Sequence, residues 1–128
     1  MRVLLDTHAF LWWIADDTHL SGRARAIIAD SSNEVFFSAV SGWEIAETAR
    51  RARLELPRDP ESFVSEQVVA NGFKVLPLEL AHALRVYSLP ALHKDPFDRM
   101  LIAQAQIEDL SLVSVDHEIA RYSVKVVW

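Results

Sequence analysis

The chain of 128 residues contains no cysteine, is 51% hydrophobic and 24% charged, and carries a formal net charge of −5. This length and composition are typical of one globular domain over residues 1–128, and they exclude a disordered chain, disulfide bonds and thiolate metal ligands. The longest apolar run, Ala9–Ala15, is too short to span a bilayer, so we expect a soluble cytoplasmic protein with no membrane partner.

The first half of the chain predicts two strands and three helices, because short apolar runs alternate with stretches of helical periodicity. In order, these are a buried strand Arg2–Leu5 that stops at Asp6, a helix capped by Thr7, a helix over 21–31 capped by Ser21, a strand Val35–Phe37, and a helix that Ser38 or Ser41 opens and that runs towards Arg53.

The second half repeats the same theme. Its predicted elements are a helix Glu61–Ala70, a strand Phe73–Leu76, helices Glu79–Tyr87 and Pro96–Ile107, a strand Leu112–Val115, and an edge strand Val124–Trp128. Strands that alternate with helices imply right-handed crossovers and a parallel sheet covered on both faces. We therefore predict a three-layer α/β/α fold with a central parallel sheet of four to five strands.

Four carboxylates stand where a strand ends or a helix begins: Asp6, Glu44, Asp98 and Asp116. In a parallel α/β sheet, strand exits and helix N-termini line one crevice, where ligands bind. Four acids that converge there repel each other unless a cation holds them together. Oxygen ligands without thiolate favour Mg²⁺ or Mn²⁺ over Zn²⁺, and such ions can activate water for phosphodiester hydrolysis. The pattern therefore indicates metal-dependent phosphoryl chemistry.

Each acid also has an ordinary structural explanation. Asp6 can be a turn residue that satisfies backbone N–H groups, and Asp116 can be a helix N-cap. Glu44 completes an S-x-x-E capping box, and Asp98 lies at the third helical position behind a cap at Asp95. Only the joint position of the four acids, at one edge of the sheet, favours a metal site.

The net charge is unusual for a partner of nucleic acid, which normally binds a basic surface. Without the four candidate acids, however, 14 of the 18 acidic residues remain against 13 lysines and arginines, so the rest of the molecule is nearly neutral. Four arginines lie near one rim of the predicted site: Arg50, Arg51, Arg53 and Arg58. The composition therefore neither excludes RNA as a binding partner nor argues for it.

Four segments of the chain resemble the PIN-domain ribonucleases of the VapC toxin type: VLLDTHAFLWW, SAVSGWEIA, LHKDPFDRMLIAQA and LVSVD. The resemblance covers nearly the whole chain in the family's order, and it implies a single PIN-like domain. It further implies an endoribonuclease that hydrolyses RNA phosphodiesters through water activated by Mg²⁺ or Mn²⁺. The family's acids match Asp6, Glu44 and Asp98, which would hold the principal ion, and Asp116, which would assist a second ion or orient water.

The resemblance also implies partners and accessory residues. The protein would be a homodimer held inactive by a cognate VapB-like antitoxin, whose tail occupies a groove near the acids and can place a basic side chain among them. The family's small hydroxyl residue beside the site matches Thr7 or Ser114. His93 is a further candidate ligand or substrate contact, although a solvated loop histidine is the commoner role.

Two positions depart from the family pattern. Relatives often carry a Lys and a Gly after the WEIA segment, where this chain has Glu47 and Ala52. Contact with the substrate on that helix would then pass to Arg50 or Arg51. Arg51 follows Glu44 by seven residues, nearly two turns, and so shares its helix face.

Two other functions stay open at this point. A metal-independent ribonuclease would use paired histidines as acid and base, for which His8 and His93 are the candidates. A non-catalytic or degenerate PIN-like module would act through partner binding alone.

The four tryptophans are most simply core residues, as large apolar side chains usually are. Trp12 and Trp13 are adjacent, however, and lie about 100° apart on a helix, so both cannot face one core. One of the two is therefore a candidate for a dimer or antitoxin surface.

Overall fold

Five strands and six α-helices make up the computed structural model, which describes residues 1–128. The strands are β1 (Arg2–Leu5), β2 (Glu34–Ser38), β3 (Lys74–Leu76), β4 (Ser111–Val113) and β5 (Val126–Val127). The helices are α1 (Thr7–Ile14), α2 (Gly22–Ala29), α3 (Ala39–Arg50), α4 (Pro60–Ala70), α5 (Leu80–Arg85) and α6 (Pro96–Glu108).

The strands form one parallel sheet in the order β3-β2-β1-β4-β5. This confirms the predicted parallel α/β sheet and the edge position of the C-terminal strand. From β1 at the centre of the sheet, β2 and then β3 follow on one side. The chain then crosses back, and β4 pairs with the other side of β1. The carboxyl ends of β1 and β4 therefore flank the switch point, where sheets of this kind bind ligands.

Two hydrophobic cores lie on opposite faces of the sheet. Val3 and Leu5 contribute to one core, which α1, α2 and α4 cover, whereas Leu4 between them contributes to the other, which α6 covers. Side chains alternate between faces along a strand, so each inner strand must be apolar at every position. This is why the strands read as uninterrupted apolar runs in the sequence. No helix combines the length and apolar composition needed to cross a membrane.

Short polar side chains begin the helices. Ser21 caps α2, as predicted, by accepting a hydrogen bond from a backbone N–H of the first turn. Ser38 rather than Ser41 caps α3, and its hydroxyl also donates to the buried amide oxygen of Gln104 in α6. This bond joins the start of α3 to the opposite layer, so the position of α3 is set by tertiary contacts as well as by its cap.

The first helix begins one residue earlier than the predicted cap requires. Asp6 is extended, with a φ of −74° and a ψ of 168°, and its Oδ1 accepts a hydrogen bond of 2.7 Å from the N–H of Ala9. Asp6 is therefore the N-cap, and Thr7 is the first helical residue. The prediction of Thr7 as the cap is wrong because the carboxylate of Asp6 accepts from the first turn, whereas the hydroxyl of Thr7 is directed at Ser41 and Glu44.

Helix α3 ends in a tight turn at Ala52, which has a φ of 56°. The N–H of Ala52 donates to the carbonyl of Ala49 at 3.0 Å, and the N–H of Arg53 donates to the carbonyl of Thr48 at 3.1 Å. These two bonds define a Schellman turn, whose left-handed residue is usually glycine because a Cβ crowds the backbone there. Ala52 thus occupies a position that favours glycine, and the turn stops the helix before Arg53.

We expect Ala52→Gly to raise the free energy of unfolding by about 0.5–1 kcal/mol, because it relieves the left-handed strain at little cost to the turn. Urea unfolding monitored by circular dichroism measures the change. The matched control is Ala46→Gly at an exposed position inside α3, which should lower the free energy of unfolding by about 1 kcal/mol. A loss of stability in both variants would contradict the assigned strain.

Candidate active site

The structure brings the four candidate carboxylates to the same edge of the sheet. Asp6 directly follows β1, and Asp116 follows β4, so these two flank the switch point. Glu44 lies in the second turn of α3, which starts at the carboxyl end of β2, and Asp98 lies in the first turn of α6. The acids come from four separate segments of the chain.

Asp6 is the most deeply buried of the four. Burial raises the pKa of its carboxyl group, while the hydroxyl of Ser114 and the N–H of Ala9 act in the opposite direction. The negative charge of Asp116 raises the same pKa further. The hydrogen bond by which Asp6 caps α1 therefore also stabilises the charge of a candidate ligand.

Glu44 is positioned by a hydroxyl from the neighbouring helix. Thr7 Oγ1 donates to Glu44 Oε1 at 2.6 Å and lies 2.9 Å from Oγ of the buried Ser41. Because Ser38 caps α3, Ser41 and Glu44 do not form the capping box that their spacing suggests. Burial raises the pKa of Glu44, Thr7 lowers it, and the charge of Asp6 contributes a further increase.

The charged form of Asp98 is disfavoured both by burial and by neighbouring acids. The predicted cap at Asp95 is confirmed, since its Oδ1 accepts hydrogen bonds from two N–H groups of the first turn of α6. Burial, together with the charges of Asp95, Asp6 and Glu44 and against the opposing effect of His93, raises the pKa of Asp98 to about 7. A carboxyl group in this state readily takes up a proton or shares a cation.

His93 joins two of the acids instead of lying in solvent. Its Nε2 is 3.0 Å from Asp98 Oδ2 and 2.9 Å from Asp116 Oδ2, and its side chain is only 14% exposed. The N–H of Asp95 donates to Nδ1 at 3.2 Å, so the neutral ring carries its proton on Nε2 and donates it to the carboxylates. The expectation of a solvated loop histidine is therefore wrong.

Asp116 is held by two further contacts. Burial alone would raise the pKa of its carboxyl group, but the N–H of Glu118 and the imidazole of His93 outweigh burial and hold the pKa below its usual range. The N–H of Asp116 donates to the Ser114 hydroxyl at 3.0 Å. Ser114 thus connects Asp116 to Asp6, and both hydroxyl residues suggested by the sequence, Thr7 and Ser114, contact candidate acids.

The donor set fits a hard divalent cation. No lysine or arginine forms an ion pair with any of the four acids, and His93 is the one basic side chain in contact with them. Carboxylates that raise one another's pKa are stabilised when a cation is shared between them. Carboxylate and hydroxyl oxygens suit Mg²⁺ or Mn²⁺ better than Zn²⁺.

The arginines suggested by the sequence divide into two groups. Arg51 and Arg53 line a polar groove whose wall includes Glu44, as the shared helix face predicts for Arg51. Arg50 is exposed and lies 3.3 Å from Glu47, outside this groove. Arg58 pairs with Glu66 instead of facing the acids.

The tryptophans also differ from expectation. Trp12 and Trp13 are both half-buried against the core, and the Nε1–H of Trp13 donates to Asn71 at 2.9 Å. Trp43, predicted as a core residue, is instead 52% exposed at the polar groove. Trp43 is predicted as a core residue from its residue type alone. Its position directly before Glu44 is the feature of the sequence that could have placed it near the site.

A parallel 3-2-1-4-5 sheet with carboxylates gathered at its switch point defines a PIN-like α/β domain, as the sequence predicts. The family model described as "PIN domain" matches residues 3–125. The chain belongs to the PIN domain family.

Known proteins place the chain within this family. It is 30% identical over 118 residues to Ribonuclease VapC22 of Mycobacterium tuberculosis, a match that covers 91% of this chain and 88% of that protein. This similarity confirms the resemblance to VapC-type ribonucleases that the four sequence segments indicate.

Solved structures share the fold at lower identity. VapBC2 from Rickettsia felis, bound to a DNA fragment from their promoter, has a TM-score of 0.70 at 11% identity and covers 99% of this chain and 98% of that chain. FitAcB from Neisseria gonorrhoeae has a TM-score of 0.62 at 20% identity and covers 98% of this chain and 96% of that chain. These similarities confirm the predicted three-layer α/β/α architecture.

Divalent-metal binding should weaken as the pH falls below about 7, because Asp98, whose pKa is about 7, must lose its proton to bind a cation. We expect the Mn²⁺ affinity measured by titration calorimetry to fall about tenfold for each pH unit on the acid side. Asp98→Asn should bind Mn²⁺ more weakly and with a flatter pH profile. A wild-type affinity that does not change with pH across neutrality would contradict this role of Asp98.

His93→Ala should strengthen Mn²⁺ binding, because it removes an N–H donor that competes with the cation for carboxylate oxygens of Asp98 and Asp116. The control His19→Ala removes an exposed imidazole that pairs with Asp17 and stacks on Trp12 but contacts none of the four acids, and it should leave the affinity unchanged. Weaker binding in His93→Ala alone would show that the imidazole is itself a metal ligand.

Proposed function

We propose that the protein is a metal-dependent endoribonuclease and the toxin component of a toxin–antitoxin pair. The observation that carries this proposal is the meeting of Asp6, Glu44, Asp98 and Asp116 at the switch point, with no lysine or arginine to neutralise them. Membership of the PIN domain family and similarity to Ribonuclease VapC22 support RNA as the substrate.

The acids would hold Mg²⁺ or Mn²⁺, with Asp6, Glu44 and Asp98 around the principal ion and Asp116 beside them. A divalent ion in such a site lowers the pKa of water and stabilises negative charge on phosphate oxygens. The surrounding residues prepare this site before the ion arrives. Thr7 fixes the carboxylate of Glu44 by a hydrogen bond, and the N–H of Ala9 fixes that of Asp6.

Proton positions also favour this chemistry over an acid–base pair of histidines. His93 holds its Nε2 proton against the carboxylates of Asp98 and Asp116, whereas the ring of His8 packs beside Trp12 with 5.5 Å between ring centroids. No hydrogen bond joins His8 to His93. Nδ1 of His93 also accepts from the N–H of Asp95, so neither ring nitrogen of His93 is free to take a proton from a nucleophile.

A second surface supports an antitoxin partner. An apolar groove of about 620 Å³ runs beside α1 and reaches Thr7 and Glu44. Its apolar walls include Leu11, Trp12, Leu54, Leu56 and Phe63. We propose that the tail of a cognate VapB-like antitoxin lies here and directs a basic side chain at Glu44.

The homodimer and the cytoplasmic location implied by the family resemblance also remain proposals. A self-associating surface is consistent with the exposed apolar side chains Val75, Leu80, Leu84 and Tyr87 along β3 and the α5 segment. Light scattering after size exclusion measures the oligomeric state directly.

Asp98→Asn should reduce RNA cleavage by about 10²–10³-fold, the usual effect of removing one preorganised electrostatic group, while the circular dichroism spectrum stays unchanged. Excess EDTA should abolish wild-type cleavage, and added Mn²⁺ or Mg²⁺ should restore it. Sequencing of RNA 5′ ends after brief expression, wild type beside the variant, identifies the target.

The matched control is Asp109→Asn, the same substitution just past the other end of α6. Asp109 is exposed and has a φ of 55°, a conformation that asparagine tolerates, so cleavage should be unaffected. Full cleavage by Asp98→Asn, or by wild type in EDTA, would contradict the metal mechanism. Activity in EDTA that is lost in His8→Ala would favour the histidine mechanism, and a folded protein that cleaves no RNA would favour a binding module.

A further inference from the structure

Trp43 is a large aromatic side chain left in solvent beside the acids. It is 52% exposed, and its ring meets that of Phe97 edge to face, with 4.9 Å between centroids and 74° between the planes. Edge-to-face packing against Phe97 holds the indole in place while much of its surface remains uncovered. An indole held in this way offers a flat surface for another π system.

Chain continuity ties this aromatic pair to the candidate metal ligands. Trp43 immediately precedes Glu44 in α3, and Phe97 immediately precedes Asp98 in α6. Successive side chains diverge by about 100° around a helix, but Trp43, Glu44 and Phe97 all line one groove. A ligand that reaches Glu44 through this groove has the aromatic pair within reach.

The same pair lines a polar groove of about 690 Å³ that extends to Glu44. Its other walls carry three cationic side chains, Arg51, Arg53 and Lys94. This volume is within the range of pockets that bind small organic ligands. An aromatic face with several cations beside it is the combination that single-stranded nucleic acids bind, since bases stack on the ring and phosphates contact the charges.

The charges of the groove leave these cations accessible. Arg53 and Lys94 form no ion pair within 4.0 Å, and Arg51 is 3.8 Å from Glu47. Glu47 is itself engaged by Arg50, and the carboxylate of Asp95 accepts hydrogen bonds from its own helix. The three cations are thus matched in number by the carboxylates of Glu44, Glu47 and Asp95, and Arg53 and Lys94 are the two cations that no carboxylate pairs.

We propose that Trp43, supported by Phe97, is a stacking platform for an unpaired nucleobase of the RNA substrate, next to the phosphate that is cleaved. Arg51, Arg53 and Lys94 contact the phosphates that follow. This proposal rests on the ribonuclease function and makes it specific, because a base must be unstacked to reach the indole. The substrate is therefore single-stranded at the cleavage site.

The test measures binding of a fluorescein-labelled single-stranded RNA 12-mer by anisotropy in EDTA, so that affinity is recorded without cleavage. Trp43→Ala should weaken binding by about 5- to 150-fold, the range found when one aromatic stacking platform is removed. Trp43→Phe keeps a π face and should retain most of the affinity, and it also guards against misfolding of the alanine variant. A duplex of the same sequence should bind all three proteins alike.

The matched control is Val69→Ala, which truncates an apolar side chain of α4 that is 80% exposed and lines neither groove. Its affinity for the 12-mer should equal that of wild type. Quenching of intrinsic fluorescence by the unlabelled RNA should be smaller in Trp43→Phe than in wild type, because stacking quenches the indole directly.

Salt dependence tests the cations separately. For single strands, the logarithm of affinity falls with the logarithm of salt concentration by about 0.7 for each phosphate neutralised. Lys94→Ala and Arg53→Ala should each reduce this slope by about 0.7. The control Arg23→Ala removes an exposed cation of α2 that lines neither groove and should leave the slope unchanged.

The outcomes separate this proposal from the ribonuclease function. If wild type cleaves RNA and Trp43→Ala binds the 12-mer as tightly as wild type, the stacking platform is overturned and the ribonuclease stands. If Trp43→Ala loses RNA affinity but wild type cleaves nothing in Mg²⁺ or Mn²⁺, the platform stands and the enzyme fails. If Trp43→Ala keeps its RNA affinity and loses the cognate antitoxin, the aromatic pair belongs to a protein interface.

Discussion

The candidate active site depends on keeping several carboxylates close together although they repel one another. The fold stabilises most of them individually: a helix N-terminal amide binds Asp6, a hydroxyl binds Glu44, and an imidazole and a backbone amide bind Asp116. Burial and then the charges of neighbouring acids disfavour the carboxylate of Asp98, and its pKa rises to about 7. The repulsion left at Asp98 is what makes the site receptive to a cation.

Strand order explains why the acids meet at all. With β1 at the centre of the sheet, the chain must cross back before it forms β4, and the crossing opens the crevice that Asp6 and Asp116 flank. Helix α3 starts beside this crevice and separates two grooves of different character. Glu44, Thr48 and Arg53 belong to both the apolar and the polar groove. Helix α3 therefore presents Glu44, a candidate metal ligand, to both the apolar and the polar groove, and these two grooves suit different partners.

The sequence predicted the helices and strands well because their signals are local. Apolar runs and the helix caps at Ser21 and Asp95 can each be identified within a few residues. Errors arose where two adjacent polar residues could each begin a helix. The choice between Asp6 and Thr7 depends on where the hydrogen bonds of β1 to its neighbours stop, and those neighbours lie far along the chain.

The sequence by itself determined the parallel α/β architecture, because the periodicities of strands and helices are local patterns of residues. It also determined which acids come to the ligand-binding edge, because the carboxyl ends of parallel strands share one edge of the sheet. Only the tertiary structure decided how those groups are stabilised. The bridge from His93 to Asp98 and Asp116, the pKa of Asp98 and the exposure of Trp43 each depend on residues from separate segments. Burial and electrostatic energy are set by distances in space, which the order of residues does not contain.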